Sequence, residues 1–584
     1  TGYTGATVYP VRLSADSPRF LSYNATPRIL IGASADAACH FVATAAAPLT
    51  DNCLTDLVSP GTNTKDFRTV LPALKAAGLN KIRLWVALGQ AKDPVNAPFA
   101  QEGGFYILNK KNQPYFDRLV AVVSKAKELG MFVEVTFFAP FEGRFFSSSP
   151  WSWDAGKSLA PEANGTLTRA GFTREEFFVV KDTGVEAAKN ERMRTYQKKV
   201  IEWTIEELWC YDNVFWEIAN EPENQKVNPS FVTTWQKDMI TEVVLRDQRS
   251  LLGRPHLIAV QPFTKTGAAS LIADPRVSIV NGHYTQILTD PIPTMPAGTT
   301  FLDFGAIQLA RKYGNLARAL GFNEGKITPY TGTAGPRRHL NGVLDTQSSL
   351  DAARAESLEF LFSLGGILDH WGYLSKNNLA NPIVGKMRTQ LSKMTAFMTG
   401  LPLAKLKTSA TDTGNPPSWI TSGLNQYPTG KASWDAVSSS QRFWAALQTD
   451  SSLAAGRLFL LYAHHSTRRC LNDQDFTSAG CPNTRPEDPT YRPYMALGGY
   501  DARVWTPASG VRYTANFTVD LGPKVGNFDV TWLRPTDFQP LKQQVLAWRQ
   551  ASCSLANCVA CSGPSGCTVS FPEGYDFDII LKIS

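Results

Sequence analysis

The segment of the chain best equipped for chemistry is Trp216-Glu217-Ile218-Ala219-Asn220-Glu221-Pro222. It closes an apolar run, and the alternation along VFWEIANEP carries Asn220 and Glu221 beyond the run's end. A carboxyl beside an amide at a strand end suits general acid work on a hydroxylated substrate: the carboxyl delivers a proton and the amide holds a hydroxyl. An acidic turn before a helix would have the same local sequence, so the assignment depends on where Asn-Glu-Pro falls in the fold. Rival chemistries lack their residues. The chain has 7 His in all, too few for clustered ligands at several strand ends. HExxH, GxSxG and GxxxxGK[ST] do not occur, so neither a metal nor a cofactor is expected.

The elements that must position Glu221 are legible as a pattern. From about Thr26 to Pro402, apolar runs alternate with amphipathic helices. The runs are Arg28 to Ser34, Lys81 to Ala87, Met131 to Phe138, Val214 to Ala219, His256 to Val260, Val277 to Val280, Lys326 to Tyr330 and Gly366 to Asp369. Between them, Phe67, Val70, Leu71 and Leu74 repeat at helical spacing before Gly78, and Phe116, Leu119, Val120 and Val123 do so before Gly130. Continuous apolar strands, each followed by a helix, imply a parallel sheet covered on its outer face. Eight units close into a (β/α)8 TIM barrel, an α/β fold whose chemistry sits at the C-terminal strand ends. The barrel is expected over 26–402. Alternating strand patterns over 403–584 predict an all-β sandwich domain, and residues 1–25 an N-terminal extension joining the sandwich or the barrel floor.

With these marks in order, residues 20–400 resemble the retaining glycoside hydrolases of clan A, the family 5-like barrels. The resemblance implies that Glu221 is the acid/base and that Asn220 contacts the sugar 2-hydroxyl. It implies that Arg83, in Ile82-Arg83-Leu84-Trp85, supports the nucleophile. His283 and Tyr284 match the element closing strand six, and Trp371, in Asp369-His370-Trp371-Gly372-Tyr373, matches the platform under the sugar at the cleavage site. The opening PVRLSADSPRFLSYNATPRILIGAS and the C-terminal stretch from LGPKVGNFDVTWLRP to FDIILKI are similar to a subgroup carrying a C-terminal β-sandwich of the collagen-binding-domain type. The resemblance thus implies a hydrolase of β-linked glycans or glycosides acting by double displacement.

One departure bears on that activity. The clan's nucleophile is a Glu ending strand seven, in a pattern like K-P-I-x-x-T-E-x-G. Read over Lys326-Ile327-Thr328-Pro329-Tyr330-Thr331-Gly332, that position falls on Gly332, and no Asp or Glu lies between Lys326 and Leu344. Glu324 precedes this run and is expected at the opposite end of the barrel. Three readings follow. The chain is a nucleophile-deficient form; or it is a non-catalytic carbohydrate-binding barrel; or Glu142 or Asp369 serves as the second carboxylate.

The remaining expectations concern surroundings and compartment. Phe137, Phe138, Phe141, Phe145, Phe146, Trp151 and Trp153 cluster in and after strand three, and sugar C–H faces pack on such rings. Trp151 or Trp153 is expected to reach the cleft, half of the group to be core, His40 to meet a sugar hydroxyl, and His464 and His465 to lie on the surface. Cysteines fall in local groups: Cys39 with Cys53, Cys470 with Cys481, and Cys553, Cys558, Cys561 and Cys567 together, with Cys210 left over as a buried thiol. Such groups read as disulfide staples of an oxidising compartment, with a zinc site as the rival reading of the last four, whose pairing the sequence leaves open. Sequons at Asn24, Asn164 and Asn516 are compatible with it. A secreted or periplasmic mature chain, its leader removed, is expected. The 584 residues carry a net charge of +7 without a basic block, which argues against a nucleic-acid partner. No stretch approaches a membrane span; the expected partner is carbohydrate.

Overall fold

The computed structural model describes residues 10–34, 67–88, 97–139, 146, 149–162, 164–180, 187–222, 229–248, 255–261, 265–283, 317–325, 354–355, 357–371, 382–408, 417–424, 443–449, 456–464, 513–562, 566–575 and 578–584. Eight strands, each parallel to its neighbours, close into a barrel in chain order. They are Leu30–Ser34 (strand one), Lys81–Leu88 (two), Phe132–Ala139 (three), Val214–Ala219 (four), Ile258–Val260 (five), Ile279–His283 (six), Ala319–Gly325 (seven) and Ile367–Trp371 (eight). Helices Phe67–Ala76, Gln113–Glu128, Ala187–Leu208, Pro229–Asp247 and Lys265–Ile272 connect successive strands. The first packs Phe67, Val70, Leu71 and Leu74 inward and the second Phe116, Leu119 and Val123. Gly78 and Gly130 follow them at φ 79° and 64°, a conformation that costs glycine little.

Strand seven departs from the sequence expectation. The run Lys326 to Tyr330 lies outside the described residues. The strand hydrogen-bonded between six and eight is Ala319–Gly325. Glu324 is therefore the penultimate residue of strand seven, at its C-terminal end, and not at the opposite end of the barrel as expected.

The barrel floor is apolar. Leu30, Phe132, Phe215, Ala259, Ile279, Ala319 and Ile367 form its lowest layer. A small antiparallel sheet of Arg12–Leu13, Leu21–Tyr23 and Thr26–Arg28 closes it from below, with Val11 and Leu21 in the same cluster. Without this plug the layer would meet water at the open N-terminal end.

C-terminal to the barrel, two mainly antiparallel sheets pack together. The larger has seven strands, in the order Leu406–Thr408, Phe443–Thr449, Phe459–His464, Asp578–Ile583, Gly526–Leu533, Pro540–Trp548 and Cys558–Cys561. The smaller has Ile420–Ser422, Tyr513–Val519 and Cys567–Tyr575. Trp532 packs between Phe517 and Phe571 across the gap. Cys553 bonds Cys558, and Cys561–Cys567 joins the edge of the larger sheet to the smaller one. Cys39, Cys53, Cys470 and Cys481 lie outside the described residues. Cys210 is a free thiol, only half-buried rather than buried as expected.

The larger sheet meets the barrel through buried ions. Arg354, in the segment leading to strand eight, donates to both Asp578 oxygens at 2.7 and 2.8 Å. The Tyr462 hydroxyl donates to the same carboxylate at 3.1 Å. His464 is fully buried with Nε2 2.7 Å from Glu359, which corrects its expected surface position; His465 lies outside the described residues. Removing one partner of a buried pair leaves the other charge uncompensated, at about 3–5 kcal/mol. Arg354→Met should lower unfolding free energy by that order in urea titrations, and adding Asp578→Leu should recover much of it. A cost under about 1 kcal/mol for Arg354→Met would mean that water reaches this interface.

Candidate active site at the barrel mouth

Above the apolar floor the barrel interior turns ionic. Each of several strands carries one charged or amide residue at an inward position, two residues beyond a floor residue. Glu134 follows Phe132, Glu217 follows Phe215, Asn281 follows Ile279 and Asp369 follows Ile367. Glu217 is fully buried and saturated with donors. It accepts from Arg83 Nε at 2.8 Å and Nη2 at 2.5 Å, Thr136 Oγ1 at 2.5 Å, Asn281 Nδ2 at 2.8 Å and Asn323 Nδ2 at 2.9 Å. Lys81 sits between Glu134, at 2.6 Å, and Asp369, with all three fully buried. Space for this layer comes from glycine: a Cβ at Gly32 would collide with the Lys81 carbonyl and the Asp369 carboxylate, and one at Gly321 with the Asn281 amide oxygen.

Among the described residues the layer holds three carboxyls against two cations, one in excess. Burial raises Glu134 above the ordinary carboxyl range, with Lys81 opposing and Glu217 adding to the rise. Burial likewise raises Asp369 against the pull of Lys81. For Lys81, burial alone would lower the ammonium, but Asp369 and Glu134 overcome it and hold it above its usual value. Asp369, one of the two alternatives for the second carboxylate, is thus the buried counter-ion of Lys81 beneath the mouth. Glu142, the other alternative, lies outside the described residues.

The mouth itself is built on this layer. Arg83 Nη2 also donates to Asn220 Oδ1 at 2.8 Å. The guanidinium can only donate, so it turns the Asn220 oxygen toward itself and the amide N–H2 away. The Asn220 N–H continues the ladder to Phe138 O at 2.8 Å. Glu221 then turns out of the strand with φ 43°, a left-handed backbone rare for a residue with a Cβ, and its N–H donates to Gln261 Oε1. Asn220 and Glu221 are 2 % and 6 % exposed, so the carboxyl stands in a largely dry setting.

Strands six and seven meet at a bulge. Gly282 pairs with Phe322 and His283 with Glu324, leaving Asn323 as the extra residue. The bulge brings Glu324 into the row of His283, which has the parity of the row shared by Asn281 and Gly321. Trp371 ends strand eight, beside Ser34 of strand one. Tyr284, His40 and Gly332 lie outside the described residues.

The aromatic group after strand three is mostly core. Phe137, Phe138, Phe146 and Trp151 are buried, and Trp151 packs on Phe99, Phe138 and Phe177. Trp153 is half-buried with the Arg169 guanidinium 4.7 Å from its ring centre. Phe141 and Phe145 lie outside the described residues. The connections after strands two and three share a four-stranded sheet of Phe99–Glu102, Phe105–Lys111, Ser158–Pro161 and Leu167–Arg169. Both connections leave C-terminal strand ends, so this sheet belongs to the mouth side of the barrel.

Sequence reasoning reached Arg83, Asn220 and Glu221 but passed over Lys81, Glu134, Glu217, Gln261, Asn281 and Asn323. A signal existed: single charges and amides at inward positions of otherwise apolar runs, costly unless they meet one another.

No protein-family model and no curated protein matches the chain. Its structural neighbours are glycoside hydrolases. It is similar to a provisionally named glycoside hydrolase from Bacteroides vulgatus, at 12% identity over 99% of this chain and 82% of that one, with TM-score 0.50. An endo-1,4-β-mannanase from Rhizomucor miehei follows at 13%, 66%, 99% and 0.43, and an α-amylase from Anoxybacillus at 10%, 95%, 98% and 0.45. At such identities the first likeness is one of fold, and the other two add nothing to it.

The excess carboxyl has a measurable consequence. Groups raised on folding contribute stability that is fully present below the ordinary carboxyl range and declines as pH rises through their folded values. Asp369→Asn leaves two cations facing two anions. Its unfolding free energy should therefore fall less than the parent's between about pH 4 and about pH 8. Equal slopes in denaturant titrations would show that the layer holds no extra proton.

Proposed function

We propose that the chain is a secreted retaining glycoside hydrolase of β-linked glycans, with Glu221 as acid/base and Glu324 as nucleophile. The observation that carries this reading is the placement of Glu324 at the C-terminal end of strand seven, three strands round the barrel from Asn220 and Glu221. Retaining hydrolysis needs two carboxyls about 5–5.5 Å apart across the scissile bond. Strand ends on opposite sides of one mouth are suited to supplying them. The reading of the chain as a nucleophile-deficient form rested on strand seven running over Lys326 to Tyr330. The strand at Ala319–Gly325 supports Glu324 in that role instead of a carboxylate missing at position 332, and so favours a catalytic barrel over a non-catalytic one.

In the first step the Glu324 carboxylate attacks the anomeric carbon while the Glu221 carboxyl protonates the departing glycosidic oxygen. A glycosyl ester on Glu324 results. In the second, Glu221, now ionised, takes a proton from water, which attacks the same carbon and releases Glu324. Asn220, its N–H2 turned away from Arg83, holds the sugar 2-hydroxyl. His283, Tyr284 and Trp371 complete the pocket, with Trp371 beneath the sugar, and Trp153 and His40 flank it.

The names of the similar structures include a β-mannanase and an α-amylase, so the β linkage rests on the resemblance of the strand-end motifs to the clan A hydrolases. Secretion is supported by the two disulfides among the described residues. Among the described residues, no helix is long and apolar enough to cross a membrane.

A panel of aryl β-glycosides tests the assignment. The parent chain should hydrolyse at least one. Glu324→Ala and Glu221→Ala should each lose three or more powers of ten in kcat on a poor leaving group, about 4 kcal/mol at about 1.36 kcal/mol per tenfold. Azide should rescue Glu324→Ala as an α-glycosyl azide and Glu221→Ala as a β-glycosyl azide. Gly332→Glu should gain nothing. A large gain on Gly332→Glu with Glu324→Ala unchanged would restore Gly332 as the nucleophile position.

A further inference from the structure

The residue that accepts the Glu221 N–H comes from strand five, which among the described residues contributes nothing else to the site. Strand five has three residues, and Gln261 follows it directly. Ala259, in the apolar floor, fixes the inward parity, and Gln261 lies two residues on. Its side chain is fully buried. Its Oε1 accepts the N–H of Glu221, the residue at φ 43°. Its Nε2, equally buried, donates to nothing among the described residues.

These facts point to a function for both ends of the amide. A left-handed turn at a residue with a Cβ persists only where the surroundings hold it. The Asn220 N–H is fixed by Phe138 on one flank, and the Glu221 N–H by Gln261 on the other. Rotation of the turn would swing the carboxyl off the glycosidic oxygen and leave a buried N–H without an acceptor. The other end of the amide carries two donors that are buried yet unsatisfied, a state proteins rarely keep unless a ligand or water completes it. Resting on the assignment of Glu221 as the acid, we propose that Gln261 is a positioning residue for that acid: its oxygen pins the Glu221 backbone, and its N–H2 takes an oxygen of the bound sugar.

Leaving-group dependence separates this from a merely structural role. A glycoside with a dinitrophenolate leaving group departs with little protonation, whereas an alkyl or phenyl glycoside needs the acid. On the glycone cleaved by the parent, Gln261→Met should lose at least tenfold more in kcat/KM, which reports the first step alone, for the phenyl glycoside than for the dinitrophenyl one. Gln261→Asn, which withdraws the same amide by one methylene, should show the same pattern more weakly and keeps the test open if the Met variant does not fold. Gln261→Glu keeps an oxygen for the Glu221 N–H but loses both donors. It should retain the parent's leaving-group pattern below neutral pH, raise KM fivefold or more, and shift the alkaline limb of the profile upward, because a second carboxylate resists ionisation of Glu221. Equal losses on both glycosides, or none, would overturn the positioning role, and an unchanged KM in Gln261→Glu would overturn the sugar contact. Glu221→Gln is the control. Should it lack leaving-group dependence, the assignment of the acid fails and the role of Gln261 falls with it; should it show that dependence while the Gln261 variants do not, the inference about Gln261 alone fails.

Discussion

Glu217 is the carboxylate on which the site depends. Buried in the middle of the barrel, it would be intolerable unless saturated, since an unpaired ion in a low-dielectric interior costs many kcal/mol. It is saturated by donors from four other strands: Arg83 from two, Thr136 from three, Asn281 from six and Asn323 from seven. Each hydrogen bond to a charged group contributes about 1.5–3 kcal/mol. Their larger effect is geometric, because the desolvation penalty falls due whenever one strand shifts. One side chain on strand four therefore holds strands two, three, six and seven in register immediately below their C-terminal ends.

Rigidity at that level reaches the mouth in two short steps. Arg83, fixed by Glu217, fixes the amide of Asn220. The next residue, Glu221, leaves the strand in a strained turn, at a cost of order 1–3 kcal/mol. Such strain is stable only on a frame that cannot relax, and the polar layer supplies it. The glycines follow from the same constraint: strands one and seven carry Gly32 and Gly321 where any Cβ would displace the Lys81–Asp369 pair or the Asn281 amide.

The polar layer also explains which parts of the fold could be read from sequence. Strand four is legible because Val214–Ala219 keeps apolar residues at all positions but one, and the helices because their buried faces repeat at regular spacing. Strand seven is not, because its inward positions are Ala319, Gly321 and Asn323, chosen to fit Asn281 and Glu217 and so looking like a turn. The neighbouring Lys326-Ile327-Thr328-Pro329-Tyr330 has the β-branched and aromatic texture of a strand and drew the assignment away. The expected strand and the observed one thus differ by several residues, enough to change which residue falls at the strand's C-terminal end. Of Trp151 and Trp153, either of which the sequence allows toward the cleft, Trp151 is core and Trp153 half-buried, because composition marks an aromatic cluster but not which rings face inward. His464 looked exposed on an alternating strand, because sequence does not show that the other face of that strand is covered by the barrel.

That covering makes the sandwich part of the barrel's support. The segment before strand eight presents Arg354 and Glu359 to Asp578 and His464, and every one of these groups is buried. It then folds tightly into the barrel wall. Leu364 is left-handed at φ 64°, a Cβ on Gly365 would collide with the Phe360 ring, and one on Gly366 with the Arg19 carbonyl of the floor sheet. The Gly366 carbonyl accepts the Leu30 N–H at 2.9 Å, and strand eight starts at the next residue, carrying Asp369 to Lys81. Sandwich, floor sheet and polar layer are thus anchored along one stretch of chain. Separating the sandwich would take Asp578 from Arg354 and His464 from Glu359 and loosen the segment that sets the height of Asp369 in the layer. On this physical ground the C-terminal sheets are a buttress for the site, whatever else their outer face does.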